Sequence, residues 1–252
     1  MNGQHQSSLN FFGASNCNGS MTQLSPMTQL SPLKDSISSV ELIRVSGSDL
    51  DIVNAARVSY GKFSTELSER DKKLINFLIM HDHTSPFEHN QLSFRIKAPI
   101  FVIRQWMRHR MASYNEISYR YVQSDLEFYT PQYWRYQHQQ NHQSSYGEFY
   151  NQELHEAYKK VLDTASEQYE KLLNAGVGRE QARGILPLCT YSEFIFTCNL
   201  HAFMHFIKLR IKQDAQYEIR VYAQAMLQLA RPHFPASLSA FIKKHNLEID
   251  CD

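Results

Sequence analysis

Apolar positions follow two different periods along this chain, and they predict a mixture of strands and helices. Residues 40–45 alternate weakly between apolar and polar side chains, and residues 92–96 alternate more clearly, as in strands with one buried face. Residues 191–197 are rich in β-branched and aromatic side chains, which favour strands. These three segments are the predicted strands.

Helical periodicity is strongest over residues 150–175. There a stripe of leucine, tyrosine, valine and alanine recurs every three to four positions, and Gly176 follows directly, as at many helix ends. The same period, with shorter runs, predicts further helices at residues 49–59, 68–80, 99–108, 180–186, 200–210, 217–229 and 238–245.

Capping signals refine three of these helices. Asp49 is placed to cap the first helix, and Ser68 with Asp71 three residues later forms a capping-box pattern. Pro99 suits the first turn of a helix that carries Gln105 toward its far end. Strands and helices do not alternate regularly, which argues against a doubly wound parallel sheet. We therefore expect an α+β fold with a mixed, mainly antiparallel sheet flanked by helices.

Two polar segments interrupt the pattern. Residues 1–38 contain few charges and repeat Met-Thr-Gln-Leu-Ser-Pro at 21–26 and 27–32, a composition that buries too little to fold. We predict a disordered tail over residues 1–38 and a single domain over 39–252. Residues 136–147 show no apolar period and are predicted to form a surface loop.

Composition excludes several classes of protein. The 252 residues include 42% hydrophobic side chains, enough for a substantial core, and 26 basic against 25 acidic residues give a net charge of +1. This balance provides no overall attraction to nucleic acid or to a membrane surface. No apolar run approaches the roughly 20 residues of a membrane span. The four scattered cysteines, Cys17, Cys189, Cys198 and Cys251, indicate a reducing cytoplasm rather than a disulfide framework.

The candidate chemistry is concentrated in residues 108–120, where three arginines stand near a histidine, a glutamate and two serines. Arginine offers a planar fork that fits phosphate oxygens two at a time, and serine hydroxyls add neutral donors. Glu116 can orient these guanidinium groups or accept a hydrogen bond from a sugar or a base. The alternative is a solvated patch of surface ion pairs.

Two other classes of function remain open from the residues alone. A metal-dependent hydrolase would use clustered histidines, although no His-Glu-x-x-His pattern is present; these are His81, His83, His89, His201 and His205. A single-strand binder would stack bases on aromatic rings between arginines, and the candidates are Arg104, Trp106, Arg108, Arg110, Tyr114, Tyr119, Arg120 and Tyr121. Balanced charge argues against nucleic acid. Ser118 and Cys189 lack a neighbouring base or cation in sequence that would make them nucleophiles.

The pattern Arg-His-Arg, two residues, Ser, one residue, Asn-Glu, one residue, Ser, one residue, Arg spans residues 108–120. It resembles the signature of the flavin-dependent thymidylate synthases, and similarity extends over roughly residues 39–245, including residues 55–59, 81–89, 97–102 and 215–219. The resemblance implies reductive methylation of dUMP to dTMP. Methylenetetrahydrofolate would supply the carbon, and NADPH the electrons through FAD, without a cysteine nucleophile. It also implies a homotetramer with shared active sites, and we expect no metal.

The resemblance also implies roles for individual residues. Arg210 would be the catalytic residue that polarises the uracil ring. The dUMP site would comprise Gln105, Arg108, Glu116, Ser118, Arg120, Arg210 and, from a neighbouring chain, Arg183. The FAD site would comprise Ser59, His83, Ser85, Arg108, His109, Arg110, Glu116, Asn199, His201 and His205. This chain departs from its relatives at two positions: His201 stands where many carry arginine, and Asp214 where several carry histidine.

Overall fold

A five-stranded antiparallel sheet forms the centre of the molecule. The computed structural model of the single chain describes residues 29–121, 126–138 and 145–248. Across the sheet the strands follow the order β1 (Gln29–Leu30), β2 (Ser39–Ser46), β3 (Gln91–Pro99), β7 (Tyr191–Asn199) and β4 (Ser113–Glu116). All of these pairings are antiparallel within the described residues. The predicted α+β class is confirmed.

Helices surround this sheet, and each helix predicted from the sequence is present with ends shifted by a few residues. They are α1 (Asp49–Arg57), α2 (Glu69–Met80), α3 (Ile100–Trp106), α4 (Gln152–Asn174), α5 (Arg179–Ala182), α6 (Leu200–Arg210), α7 (Tyr217–Ala230) and α8 (Pro235–His245). Short 3-10 helices span Val58–Tyr60, Ser85–Glu88 and Arg183–Ile185. In the part of the chain that the structure describes, no helix is long and apolar enough to cross a bilayer.

Strands β3 and β7 each run directly into a helix, and their register determines where those helices meet. Gln91 pairs with Asn199 and Pro99 with Tyr191, so α3 and α6 leave the sheet at opposite ends. The Asn199 side chain accepts a hydrogen bond from the Ala202 amide at 2.8 Å and caps α6. The last turn of α6 consequently reaches the carboxyl end of α3.

Trp106 anchors that end of α3 in the core. Its side chain is fully buried, and its ring lies 4.8 Å from Phe206, 5.3 Å from Phe194 and 5.7 Å from Tyr222 between centroids. Burial of an aromatic side chain of this size contributes several kcal/mol of free energy, roughly 3–5 by truncation to alanine. The residues that follow Trp106 therefore begin from a rigid point.

Asp71 joins α1 to α2. The Ser68 side chain accepts from the Asp71 amide, and the Asp71 carboxylate accepts from the Ser68 amide at 2.9 Å, which confirms the predicted capping box. The same carboxylate forms an ion pair with Arg57 at the end of α1. Hydrogen bonds from Ser68, assisted by the Arg57 charge, hold the pKa of the Asp71 carboxyl below its ordinary value.

Asp49 does not cap α1, so that prediction is wrong. The N-cap position belongs to Ser48, and Asp49 is a buried residue in the first turn of α1. Its carboxylate instead accepts hydrogen bonds from the Ala236 amide at 2.7 Å and from the Ser237 amide at 3.1 Å. These are among the first amides of α8, so Asp49 caps a helix almost 190 residues further along the chain.

The two polar segments are more structured than predicted. Residues 29–38 belong to the fold: β1 pairs with β2, and Tyr191 donates a hydrogen bond to Asp35, so the predicted tail extends too far at its carboxyl end. Residues 1–28 lie outside the described part. The predicted loop at 136–147 includes the ends of a hairpin, β5 (Trp134–Gln137) and β6 (Ser145–Phe149), in which Tyr136 stacks on Phe149. Residues 139–144 of that segment are outside the description.

Candidate active site

The sequence signature separates into two parts that Tyr114 joins. Residues 108–110 lie in the turn after α3, and residues 113–116 form the edge strand β4. The Tyr114 hydroxyl, on β4, donates to the Trp106 carbonyl at 3.1 Å and lies 2.8 Å from the His109 carbonyl. Burial raises the pKa of Tyr114, so the hydroxyl remains a donor. The turn that presents the arginines is thereby fixed to the sheet.

Arg210, in the last turn of α6, is held at this turn by two hydrogen bonds. Its Nε donates to His109 Nε2 at 3.0 Å, and its Nη2 donates to the Gln105 carbonyl at 3.3 Å. A cation is also favoured here because the carboxyl end of α3 carries partial negative charge. Burial lowers the pKa of Arg210, but arginine remains charged in proteins. The structure thus joins three residues predicted for the site.

His109 is a neutral acceptor in this arrangement. Burial, and after it the charges of Arg210 and His205, lowers the pKa of His109 to about 4. Because its Nε2 accepts the Arg210 hydrogen bond, the ring proton lies on Nδ1. The His109 ring also packs against Phe206 at 4.9 Å between centroids. Packing and hydrogen bonding therefore fix both the ring and the guanidinium group.

A cleft of about 100 Å³ opens beside this pair and brings together three residues predicted to contact FAD. His83 lies in the loop after α2, while His201 and His205 lie one turn apart on α6, and all three line the cleft. Lys208 and Lys244 add positive charge to its walls. The His205 ring is 6.0 Å from the His109 ring, so the cleft adjoins the Arg210 site.

The edge strand β4 carries the remaining signature residues. Glu116 accepts a hydrogen bond from the Ser192 hydroxyl at 2.6 Å, which directs its carboxylate along the face of β7. In the turn that follows, the Ser118 hydroxyl accepts from the Arg120 amide at 3.3 Å and lies 3.5 Å from Arg120 Nε. The Tyr119 hydroxyl donates to the Tyr191 carbonyl at 2.6 Å and ties this turn to the sheet. Ser118 and Arg120 thus lie next to each other in this turn.

Arg108 and Arg110 are exposed, and their side chains form no hydrogen bond or ion pair within the described residues. Two such guanidinium groups on either side of a neutral histidine create an uncompensated positive turn. Such a turn is suited to an anion of fixed geometry, such as a phosphate or pyrophosphate. The residues present therefore fit the anionic part of a flavin dinucleotide.

Other predicted residues lie apart from this cluster in the single chain. Arg183 is exposed in a 3-10 helix that packs on α4 and α5, and no described hydrogen bond links it to the signature. Ser59 lies in another 3-10 helix and donates to the Ala56 carbonyl at 3.3 Å. Ser85 begins the 3-10 helix below His83. Asn199 uses its side-chain oxygen to cap α6.

A buried polar network beneath Gln105 was not foreseen. Gln105 donates to Gln216, and Gln216 donates to the Glu218 carboxylate at 2.8 Å. Glu218 is almost fully buried and also receives hydrogen bonds from Tyr129 at 3.0 Å and from Arg135. The sequence stretch 215–219 was part of the family resemblance, but the polarity of a helix start gave no sign of burial.

Three observations bear on the metal and nucleic-acid alternatives. In the described ranges no group of three or more histidine, cysteine or acidic side chains could hold a metal ion. The His81 ring nitrogen Nδ1 lies 2.9 Å from the Phe77 carbonyl, and His201 lies 3.6 Å from Glu88. Base stacking on Trp106 is impossible because its side chain is fully buried.

The two cysteines among the described residues are also unsuited to nucleophilic attack. Cys189 and Cys198 are both buried and free. Burial raises the pKa of the Cys198 thiol, which disfavours the thiolate that attacks carbon. Chemistry at this site therefore depends on its arginine, histidine, glutamine and glutamate side chains.

The α+β fold, the cationic turn, the half-buried Arg210 and the adjoining cleft are typical of an enzyme that binds an anionic nucleotide. Comparison with known proteins identifies the family. Residues 41–236 match the family described as thymidylate synthase complementing protein. A flavin-dependent thymidylate synthase of Thermus thermophilus is 46% identical over 209 residues, which cover 83% of this chain and 77% of that protein. Another, from Thermotoga neapolitana, is 43% identical over 206 residues, which cover 81% of this chain and 90% of that protein.

A solved structure agrees with these relatives. The UMP/dUMP methylase PolB of Streptomyces cacaoi, bound with 5-Br UMP, superposes with a TM-score of 0.74 at 34% identity, covering 85% of this chain and 97% of that one. A second PolB structure, bound with 5-Br dUMP, superposes with a TM-score of 0.72 at 35% identity and covers 82% of this chain and 95% of that one. The chain belongs to the family of flavin-dependent thymidylate synthases, which makes it an FAD-dependent methyltransferase, as the signature implied.

Proposed function

We propose that this protein converts dUMP to dTMP by reductive methylation, with methylenetetrahydrofolate as the carbon donor and NADPH as the source of electrons through FAD. The observation that carries the proposal is the fixed Arg210. Its guanidinium group is held by neutral His109 and by the Gln105 carbonyl, beside the exposed Arg108 and Arg110. Fixed and unpaired guanidinium groups of this kind favour an anionic nucleotide as the ligand.

The nucleotide phosphate would bind at the turn after β4. A phosphomonoester carries between about 1.5 and 2 negative charges at neutral pH. The Ser118 hydroxyl lies 3.5 Å from Arg120 Nε there, and the two side chains offer a neutral and a charged donor. Arg183 of a neighbouring chain would add a further cation. Gln105, Arg108 and Glu116 would bind the sugar and base.

Arg210 is the residue that we assign to catalysis. Negative charge develops on the uracil ring as hydride reaches C6, and a fixed cation at the N3 and carbonyl edge stabilises that charge. Because two hydrogen bonds already orient Arg210, little reorganisation is needed during the reaction. FAD, when bound, supplies the hydride chemistry. No thiolate is required, in keeping with the burial of Cys189 and Cys198.

The donors around the cleft fit FAD. Arg108 and Arg110 are free to pair with its pyrophosphate or to favour the anionic reduced ring, and His109 stands between them. His83, His201 and His205 line the adjoining cleft. The other residues proposed for FAD are Ser59, Ser85, Glu116 and Asn199. The His201 ring nitrogen Nδ1 lies 3.6 Å from the Glu88 carboxylate at the wall of this cleft.

We further propose a homotetramer whose active sites combine residues of several chains. Two observations support it. Arg183 is separate from the signature in one chain, and several apolar side chains are exposed, among them Val161 at 64% and Met111 at 79%. Association would cover such side chains. A cytoplasmic location is part of the same proposal and is supported by the two free cysteines.

The test is direct. The purified protein should carry a flavin absorbance band that NADPH bleaches, and it should convert dUMP to dTMP when methylenetetrahydrofolate is added. UMP is the control substrate, since PolB is named for both nucleotides. Light scattering should give the mass of four chains. A protein that binds no flavin, or one whose reduced flavin leaves dUMP unchanged with the folate present, would contradict the proposal.

A further inference from the structure

The side-chain amide of Gln105 occupies a fixed orientation because of the polar network beneath it. Glu218 anchors that network: its carboxylate is 2% exposed and receives hydrogen bonds from Arg135 and from Tyr129. The Arg135 guanidinium group is itself stacked 4.9 Å above the Tyr217 ring. Glu218 is the carboxylate of an ion pair with Arg135 and serves as the hydrogen-bond acceptor for each of its partners here.

The direction of each hydrogen bond follows from that constraint. Because Glu218 only accepts, Gln216 must turn its NH2 group toward it, and the Gln216 Nε2 to Glu218 Oε2 distance is 2.8 Å. The Gln216 oxygen then faces Gln105. Gln105 must therefore use its own NH2 group for Gln216, which leaves its Oε1 without a partner within the described residues. A carboxylate two side chains away thus determines which end of the Gln105 amide is free.

Residue 105 also contacts the catalytic arginine through its backbone. Arg210 donates to the backbone carbonyl of Gln105 at 3.3 Å, so whatever Arg210 binds is within reach of the same residue. With its oxygen free, the Gln105 amide binds a hydrogen-bond donor of the ligand. If the amide were turned so that its NH2 group were free, it would bind an acceptor of the ligand instead.

We infer that Gln216 and Glu218 are positioning residues which hold the Gln105 amide with its oxygen toward the nucleotide, where it accepts a hydrogen bond from the uracil N3–H or from a sugar hydroxyl. The inference rests on the proposed conversion of dUMP. It adds two residues that do not touch the substrate, and it explains why a glutamine, rather than a glutamate or a leucine, suits position 105.

The test is a double-mutant cycle on the flavin-loaded enzyme. Gln216→Met keeps the length of the side chain but removes the hydrogen bond to Gln105, and it should raise KM for dUMP about fivefold with little change in kcat. In a Gln105→Ala background the same substitution should change KM by less than about twofold, since Gln216 acts only through Gln105. Gln216→Ala repeats the cycle if the methionine variant fails to fold.

Gln228→Met is the matched control, because Gln228 is exposed on the same helix, α7, and should leave KM unchanged. If Gln216→Met raises KM for dUMP by the same factor in the parent and in the Gln105→Ala background, or in neither, the inference is overturned even when the parent enzyme makes dTMP. A parent enzyme that makes no dTMP would instead refute the proposed function.

Two analogues of dUMP identify the donor. N3-methyl dUMP lacks the N3–H, and 2′,3′-dideoxyuridine monophosphate lacks the 3′ hydroxyl. Affinity is measured by the flavin absorbance change on binding. Each analogue should bind the parent more weakly than dUMP does. The analogue for which this difference becomes smaller in Gln105→Ala lacks the group that Gln105 contacts. If both analogues lose as much affinity in Gln105→Ala as in the parent, Gln105 accepts from neither and the inference is wrong.

Discussion

Replacing His109 with phenylalanine should disable Arg210 without touching it. The phenylalanine ring can keep the packing against Phe206, at 4.9 Å between ring centroids, but it cannot accept the Arg210 Nε hydrogen bond of 3.0 Å. One of the two bonds that orient the guanidinium group is then lost, and the bond to the Gln105 carbonyl alone allows it to rotate.

The expected size of the effect follows from the type of bond. A hydrogen bond with one charged partner contributes about 1.5–3 kcal/mol, and each 1.4 kcal/mol corresponds to about a factor of 10 in rate. Because the bond supports Arg210 rather than the resting substrate, kcat should fall by roughly 10- to 100-fold while KM for dUMP changes little. His109→Gln, whose side-chain oxygen can accept the same proton, should recover most of kcat.

Single-turnover dTMP formation on enzyme with measured flavin content is the assay, since His109 is also a proposed FAD contact. Flavin occupancy must be matched before rates are compared. Parent-level kcat in the flavin-loaded His109→Phe enzyme would refute the positioning role, as would equal losses in the phenylalanine and glutamine variants.

The same residue gives a prediction for pH. The pKa of His109 is lowered from 6.5 to about 4 by burial first and then by Arg210 and His205, so the folded protein favours the neutral ring. Its contribution to stability is complete above about pH 6.5 and is lost as the pH falls toward 4. The fall of this pKa from 6.5 to about 4 sets the upper limit of the loss at about 3.5 kcal/mol, and partial solvent access reduces it. Melting temperatures at pH 7.5 and 5 should differ less in His109→Gln than in the parent.

Three further predictions concern single residues. Arg210→Ala should retain flavin but lose about 10²- to 10³-fold in kcat, and dTMP formation at the parent rate would exclude its catalytic role. Cys189→Ser should remain active, because Cys189 is a buried free thiol away from the signature; loss of methyl transfer with intact folding would contradict this. Asp49→Ala should lower the free energy of unfolding by about 2–4 kcal/mol in denaturant titrations, against under about 1 for Ser48→Ala, whose hydroxyl bonds only exposed Asp51 at 2.7 Å. Equal effects of the last two would show that Asp49 does not cap α8.

The fold was predictable where the signal is local. Ser68 and Asp71 lie three residues apart, and their capping box was recognised because both partners fall within one turn. Asp49 carries the same kind of signal, but its partners are 187 and 188 residues away, and a sequence pattern cannot show that distance. The hairpin of β5 and β6 is not predicted, because most side chains of residues 136–147 are polar and give no strand pattern. Cross-strand aromatic pairs such as Tyr136 and Phe149 stabilise it instead.

The site was predictable as a set of residue types but not as a geometry. The arginines of residues 108–120 predict an anion site by their chemistry alone. The neutral state of His109 depends on burial and on Arg210, which is 101 residues further along. Gln216 and Glu218 begin a helix and look like solvated residues in sequence, and only the packing of Arg135 and Tyr129 around them reveals their burial.

The contact between Asp49 and α8 also affects how far the folding unit extends. The family match ends at residue 236, within the first turn of α8, yet Leu238 and Phe241 of that helix are buried in the main core. A gene shortened to the matched segment would leave the Asp49 carboxylate facing a missing helix and uncover the apolar side of α2. A gene fragment meant to fold by itself should therefore run on through His245.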